Sequence, residues 1–502
     1  MRSFLRCCVI LVCAWMIQIA PIHAQGLPDL GDTERDAFSP LAERKLGIEI
    51  MRDIRNNVDY LDDAPVLEYM NQLGATLLAV QSEFKSESGY DFFFFVVRDP
   101  MLNAFALPGG NIGFHSALIL NAQSESELAS VMAHEIGHVV QRHIARMVGQ
   151  QKQDIFIPLA GAILGILVAG KGNADISSAL IAGSQGLSMQ RQLSFSRDAE
   201  READRVGLQT LEEAGFDPVG MAHFLRRLET SMRGYTDNMP AYLRTHPLTS
   251  ERIADVEARV REKTKSRHLD SLDFYLLKAR VLVLQDLRIQ GLQAAQDFFE
   301  KQLLSQQRLS MVAAKYGLAY VALKMGDPLK AQRLLDEAKV ASLSEGNKMI
   351  ESLQLEILLS SDYPAGMMKD MQTKALLMAE STRQRFPDSA GILIQYITAL
   401  NVNGRYEVAM MLLRHQAQKE PNEAQWQKLL AKTYAFMGKV TLQHIALAQA
   451  YANSGLLSQA LEQLTIARKS NDAVFQDLAI IDARQREWQA KLLEEIKEKK
   501  EQ

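Results

Sequence analysis

Two histidines spaced four residues apart, with a glutamate after the first, constrain this chain more than any other feature. His134-Glu135-Ile136-Gly137-His138 can do chemistry only on a helix. There an i,i+4 spacing stacks the two imidazoles one turn apart on a single face. Two imidazoles supply half of a tetrahedral zinc site, and the catalytic form of such a site keeps one position open. Glu135, beside the pair, suits a general base that takes a proton from water and returns it later. The flanking sequence agrees: Ser124 to Glu127 reads as a capping box, and Leu128, Val131, Met132 and Val139 carry an apolar helical period. A metal helix of this kind is expected to be half buried, and two histidines with a glutamate buried there without an ion would be costly, which favours the metal reading.

A second helix is predicted over 196–214, with Gly215 as its stop signal. Glu200 and Asp204 share a face there, and Ala203 with Gly207 leaves that face narrow enough to approach another helix closely. A carboxylate on that face completes a two-histidine, one-carboxylate site. Glu202 is the rival to Glu200 for this place. Asp204 suits the outer N–H of a ligating histidine, where it fixes the tautomer. Taken alone, the acidic stretch reads as a solvated face. His143, beyond the motif, falls on a different face and is not expected to be a ligand.

The pairing of His134 to His138 with Glu200 to Asp204 resembles the metallopeptidases related to the CAAX prenyl protease and the bacterial heat-shock membrane protease. Their pattern is H-E-x-x-H followed by E-x-x-x-D, and the run from Ser196 to Asp204 carries the likeness most specifically. The resemblance extends to periplasmic members that end in a tetratricopeptide array, and it favours Glu200 over Glu202. It also implies that His246, in Thr245-His246-Pro247-Leu248, is a regulatory fourth ligand that latches the enzyme shut; by residue type alone it is a turn residue before proline. Arg252 is expected to steady the substrate backbone or the oxyanion, or else to form a surface salt bridge. Residues 103–112 resemble the family's hairpin before the metal helix. Pro108-Gly109-Gly110-Asn111 is a turn signal, and Asn103, Ala104, Phe105 and Ala106 form either an edge strand able to bind extended peptide or a plain hairpin.

Residues 1–24 read as a cleaved secretory signal: Arg2 and Arg6, an apolar run over 7–15, and Ile22-His23-Ala24 as the cleavage site. All 3 cysteines, Cys7, Cys8 and Cys13, fall inside it, so the expected mature chain has neither disulfides nor cysteine ligands. Without the two signal arginines the formal charge of −4 becomes about −6, and no basic patch with interleaved aromatics appears, which excludes nucleic acid as a partner. The expected compartment is the periplasm of a Gram-negative bacterium. The apolar run at 155–169 is short for a span and is broken by Pro158 and nearby glycines. It is a buried core helix, a pair dipping into a leaflet as a peripheral membrane contact, or a lid.

From about Leu272 onward, alanine, leucine, glutamine and lysine dominate with helical periodicity. Ala319, Ala331, Leu335 and Ala338; Leu400, Ala409, Leu413 and Pro421; and Ala448, Tyr451, Ala460, Leu464 and Ala467 occupy tetratricopeptide-like positions. A general α-solenoid is the alternative. Either presents a groove suited to polypeptide.

The expected chain is therefore mainly α: signal 1–24, a helical zinc metallopeptidase domain with a small β-sheet over 25–267, an α-solenoid of tetratricopeptide repeats over 268–490, and a charged helix end over 491–502. One Zn2+ is expected on His134, His138 and Glu200, with Glu135 and Asp204 as catalytic residues. The resemblance implies a protease with a chaperone-like role whose partners are the outer-membrane β-barrel assembly machinery and misfolded or stalled clients, including the lipopolysaccharide-transport barrel. The alternative is an assembly scaffold whose latched metal site is largely inactive. A membrane-embedded prenyl-type protease is set aside for want of spans.

Overall fold

The computed structural model describes residues 39–81, 90–149, 196–232, 241–261, 268–305, 307–343 and 346–501. The signal expected at 1–24 and the apolar run at 155–169 lie outside the described residues. Helices α1 (Pro40–Arg55) and α2 (Ala64–Leu78) open the fold, each with proline in its first turn and a capping side chain, Ser39 accepting from Ala42 N–H and Asp63 from Val66 N–H. Strands β1 (Phe93–Val97), β2 (Ala104–Ala106) and β3 (Asn111–His115) form a sheet in the order β1-β3-β2. β1 runs parallel to β3, and β2 runs antiparallel to it with Phe105 opposite Gly113. The predicted hairpin is present, and β2 is an edge strand of the sheet. Gly109 and Gly110 turn it with φ of 78° and 90°, values that explain the glycine pair.

After the short α3 (Ser116–Asn121) comes the motif helix α4 (Glu125–Val140). Ser124 caps it by accepting from Glu127 N–H, while the Glu127 carboxylate reaches Gln123 N–H, one residue earlier than a capping box requires. The expectation of half burial needs correcting. Every residue of α4 from Glu125 to Val139 is buried, because α2, α6 (Arg197–Glu213), α7 (Val219–Met232) and β2 surround it. Leu128, Val131, Met132 and Ile136 pack into the main core, each contributing roughly 1.5–3 kcal/mol.

Helices α4 and α6 meet through small residues on both sides. A Cβ on Gly207 would stand 3.1 Å from His134 N, and one on Gly137 would stand 3.0 Å from Ala203 O. Helix α5 (His143–Gly149) follows α4 after Arg142, a non-glycine residue with φ of 51°. The domain continues through α8 (Ala241–Thr245) and α9 (Ser250–Arg261).

The α-solenoid runs from α10 (Leu272–Gln285) to α21 (Phe475–Glu501) as successive packed helices. Its alanine and leucine positions are buried as expected, including Ala319, Ala331, Leu335, Ala338, Ala409, Leu413, Ala448, Ala460, Leu464 and Ala467. The charged helix end expected at 491–502 falls on the last part of α21, which runs to Glu501. The array also holds the catalytic half. Arg280 donates to Asp63, Ser389 and Gly391 N–H donate to Glu68, Arg55 pairs with Glu423, and Asn56 reaches Ser454 O. Successive helices thus bend back along α1 and α2, which cover part of the array's surface. Among the described residues no helix is long and apolar enough to cross a membrane.

Candidate metal centre

Helices α4, α6 and the segment after α8 bring four side chains together. His134, His138, Glu200 and His246 each offer a donor atom, and these atoms lie within 4.8 Å of one another. The Nε2 atoms of His134 and His138 are 3.1 Å apart. Glu200 presents Oε2 at 3.6 Å from His134 Nε2 and Oε1 at 3.4 Å from His138 Nε2. Tetrahedral donors on bonds of about 2.0–2.1 Å stand about 3.3 Å from each other, so these separations fit a single ion. The donor set fits as well: two imidazoles and a carboxylate, all buried.

His246 Nδ1 lies 3.1 Å from Glu200 Oε1, and its Nε2 lies 3.5 Å from Glu135 Oε1. Tyr242, one turn earlier on α8, stacks on the His246 ring at 4.6 Å between centroids. Asp204 Oδ1 is 3.0 Å from His134 Nδ1, the outer contact expected of it. Glu202 points elsewhere: it faces His143 Nε2 and Arg146, both at 3.1 Å. The choice of Glu200 over Glu202 therefore matches the geometry.

The electrostatics follow from burial and from these pairs. Burial disfavours charge on His134, but hydrogen bonds to Asp204 and Glu200 outweigh it and lift its pKa to about 10. Burial drives His138 the other way, well below the usual histidine value. Glu200 is buried too, yet His246, His134 and His138 hold it well below the carboxylate range. The centre thus keeps a buried carboxylate charge on Glu200. Glu135 differs: desolvation raises its pKa, opposed by His246, His134 and the Ala106 N–H, and neither of its oxygens makes a well-formed hydrogen bond. A desolvated carboxylate beside the donors has the proton affinity that a general base needs.

Arg252, expected to face substrate or solvent, does neither. It is 2% exposed; Nε and Nη2 bind the two oxygens of Asp204 at 2.7 and 2.8 Å, and Nη1 reaches Glu200 at 2.6 Å and Pro247 O at 2.8 Å. It holds the two acids and the loop beside His246 in place. On the opposite side, β2 brings Ala104 to Ala106 against α4, with Asn103 buried just before it. Reasoning from sequence missed Tyr242, the Ala106 N–H and the contact of His143 with His138. Only the first carried a signal, its spacing of one turn from His246.

A model of peptidase family M48 matches residues 69–260, the segment that holds every donor above. The chain is 32% identical over 461 residues to the β-barrel assembly-enhancing protease of Escherichia coli, covering 90% of this chain and 89% of the relative. It is 30% identical over 450 residues to the protein of that name from Yersinia pestis, covering 88% and 87%. The mitochondrial metalloendopeptidase OMA1 of Schizosaccharomyces pombe is 33% identical over 162 residues, 32% of this chain and 44% of the relative. With a buried metal-binding cluster in the matched segment and a relative aligned along nearly the whole length, the chain belongs to peptidase family M48, the metallopeptidases.

Proposed function

We propose that the chain is a periplasmic zinc endopeptidase that acts on misfolded or stalled outer-membrane β-barrel proteins and assists their assembly. The observation that carries the reading is the spacing of 3.1 to 3.6 Å among His134 Nε2, His138 Nε2 and the Glu200 oxygens, next to the desolvated Glu135. His134, His138 and Glu200 would hold the zinc, and His246 would be a fourth, regulatory ligand. When bound, the ion supplies Lewis acidity that acidifies water and polarises the scissile carbonyl.

The chain's own residues do the rest. Glu135 takes the proton of the attacking water and later delivers it to the leaving amine. Asp204 holds His134 through Nδ1. Strand β2 offers the main chain of Ala104 to Ala106 for an extended peptide to pair with, next to Glu135, and Asn103 supports its start. The α-solenoid would present the client to this edge. The outer-membrane client class and the periplasm are supported by the names of the relatives and by the secretory pattern of 1–24. The assembly machinery and the lipopolysaccharide-transport barrel belong to the same proposal.

A second reading, a scaffold with its metal site shut, draws on the position of His246, 1% exposed and stacked under Tyr242. One comparison separates the two. Zinc content and casein cleavage are measured in wild type, Glu200→Gln and Glu135→Gln. The protease reading expects one zinc in wild type, loss of zinc in Glu200→Gln, and zinc without cleavage in Glu135→Gln. Wild type without zinc would end it. Client maturation that survives Glu135→Gln intact would favour the scaffold.

A further inference from the structure

His138 Nδ1 lies 2.8 Å from His143 Nδ1, and His143 Nε2 lies 3.1 Å from the Glu202 carboxylate, which Arg146 also holds at 3.1 Å. We infer that His143 and Glu202 are a positioning pair that locks the His138 ring with its Nδ1 protonated and its Nε2 lone pair turned toward the metal centre. This rests on the zinc reading given above.

The hydrogen-bond chain permits one consistent assignment for a ligating His138. A carboxylate paired with arginine only accepts, so His143 Nε2 carries a hydrogen. A neutral His143 then has a lone pair on Nδ1, and the contact at 2.8 Å needs a donor, which is His138 Nδ1–H. That leaves His138 Nε2 bare, 3.4 Å from Glu200 and 3.1 Å from His134 Nε2. If His143 were instead doubly protonated, His138 would accept at Nδ1 and carry its hydrogen on Nε2, where no ligand can have one.

The backbone is built around this contact. In an unbroken helix a residue five positions after His138 would face away from it. The chain leaves α4 at Gln141, turns through Arg142 in the left-handed region at φ 51°, and restarts at His143, so α5 folds under His138. Left-handed backbone is unfavourable for a long side chain and persists where surroundings enforce it. Here the Arg142 guanidinium is anchored on buried Glu43, at 2.6 Å from Nη2 and 3.2 Å from Nε. Glu202 and Asp204 leave the same helix α6 and serve the two ligand rings, Asp204 directly and Glu202 through His143. His143 and Glu202 lie outside the set of four donors and act on it through His138, so they are positioning residues.

The test is zinc affinity by chelator competition, with the visible spectrum of the Co2+-substituted protein, in full-length wild type, His143→Ala, His143→Gln and Glu202→Ala. Expected are a loss of about 10–100-fold in zinc affinity for His143→Ala with a shifted Co2+ spectrum. A smaller loss in the same direction is expected for Glu202→Ala. His143→Gln, whose carbonyl can accept from His138 Nδ1–H, is expected to return within about threefold of wild type. Zinc affinity and spectrum unchanged in both His143→Ala and Glu202→Ala overturn the inference. If His143→Ala does not fold, the partly exposed Glu202→Ala decides alone. Wild type that binds no zinc contradicts the earlier reading of the site, whereas variants that bind as tightly as a zinc-loaded wild type contradict only this one.

Discussion

His246 Nδ1 stands 3.1 Å from Glu200 Oε1, with Tyr242 stacked on the same imidazole. As the regulatory fourth ligand proposed above, a side chain held this way would close the position that water needs. His246→Ala is therefore expected to cleave casein several-fold faster than wild type. Tyr242→Ala should act in the same direction, less strongly, because it only removes the support. Initial rates with labelled casein decide the matter, and equal or slower cleavage by His246→Ala would count against the latch.

Glu135 is desolvated and lies beside the donors without belonging to them. Glu135→Gln should lower kcat by about 10²–10⁴-fold. Zinc stoichiometry and melting temperature should stay close to wild type. Loss of zinc in this variant would mean that Glu135 is a ligand rather than a base.

Arg252 compensates two buried acids at once. Arg252→Met removes the guanidinium from both and leaves them only the histidines, and breaking a buried pair costs about 3–5 kcal/mol, measurable by urea denaturation. The pH dependence follows in sign. Burial would raise Asp204, but hydrogen bonds from His134 and Arg252 hold its pKa below the ordinary value. Glu200 is likewise depressed. Carboxylates depressed in the folded state add stability that is complete above their unfolded pKa and lost as pH falls through their folded pKa. Chelator-treated wild type should therefore hold its stability through mildly acidic pH and lose it below the ordinary carboxylate range. In Arg252→Met the acid limb should begin at higher pH; coincident acid limbs would refute the assignment.

Gly207 lies against the backbone of His134, and Gly137 lies against Ala203. Gly207→Val cannot be accommodated without separating α4 from α6, at about 1–3 kcal/mol of overpacking. Because the separation also moves Glu200 away from the histidines, zinc affinity should fall with stability. Calorimetry with and without zinc is the check, and a destabilised protein of wild-type zinc affinity would show that the ligands do not depend on this contact.

Much of this was legible in the residues themselves. The i,i+4 histidines, the Ser124 cap and the Gly215 stop placed α4 and α6 because these are local signals, each acting within a turn or two of chain. The Pro108-Gly109-Gly110 turn and the buried alanines of the solenoid were readable for the same reason. The burial of α4 on every side was not, since its neighbours come from distant parts of the chain. Arg252 looked like a surface or substrate residue until α9 carried it onto Asp204. His143 was set on the wrong side of His138 by assuming helical continuity through Arg142, a left-handed residue that no glycine announced.

By itself, then, the amino-acid order determined which residue types could grip a cation, the helices that bear them and the helical array that follows, all through spacing and capping over short range. Only the tertiary structure decided that Glu200 rather than Glu202 meets the histidines, that His246 lies over them, and that the array bends back on α1 and α2. Those outcomes depend on how closely two backbones approach and on how buried charges find partners, and both are settled by segments far apart in the chain.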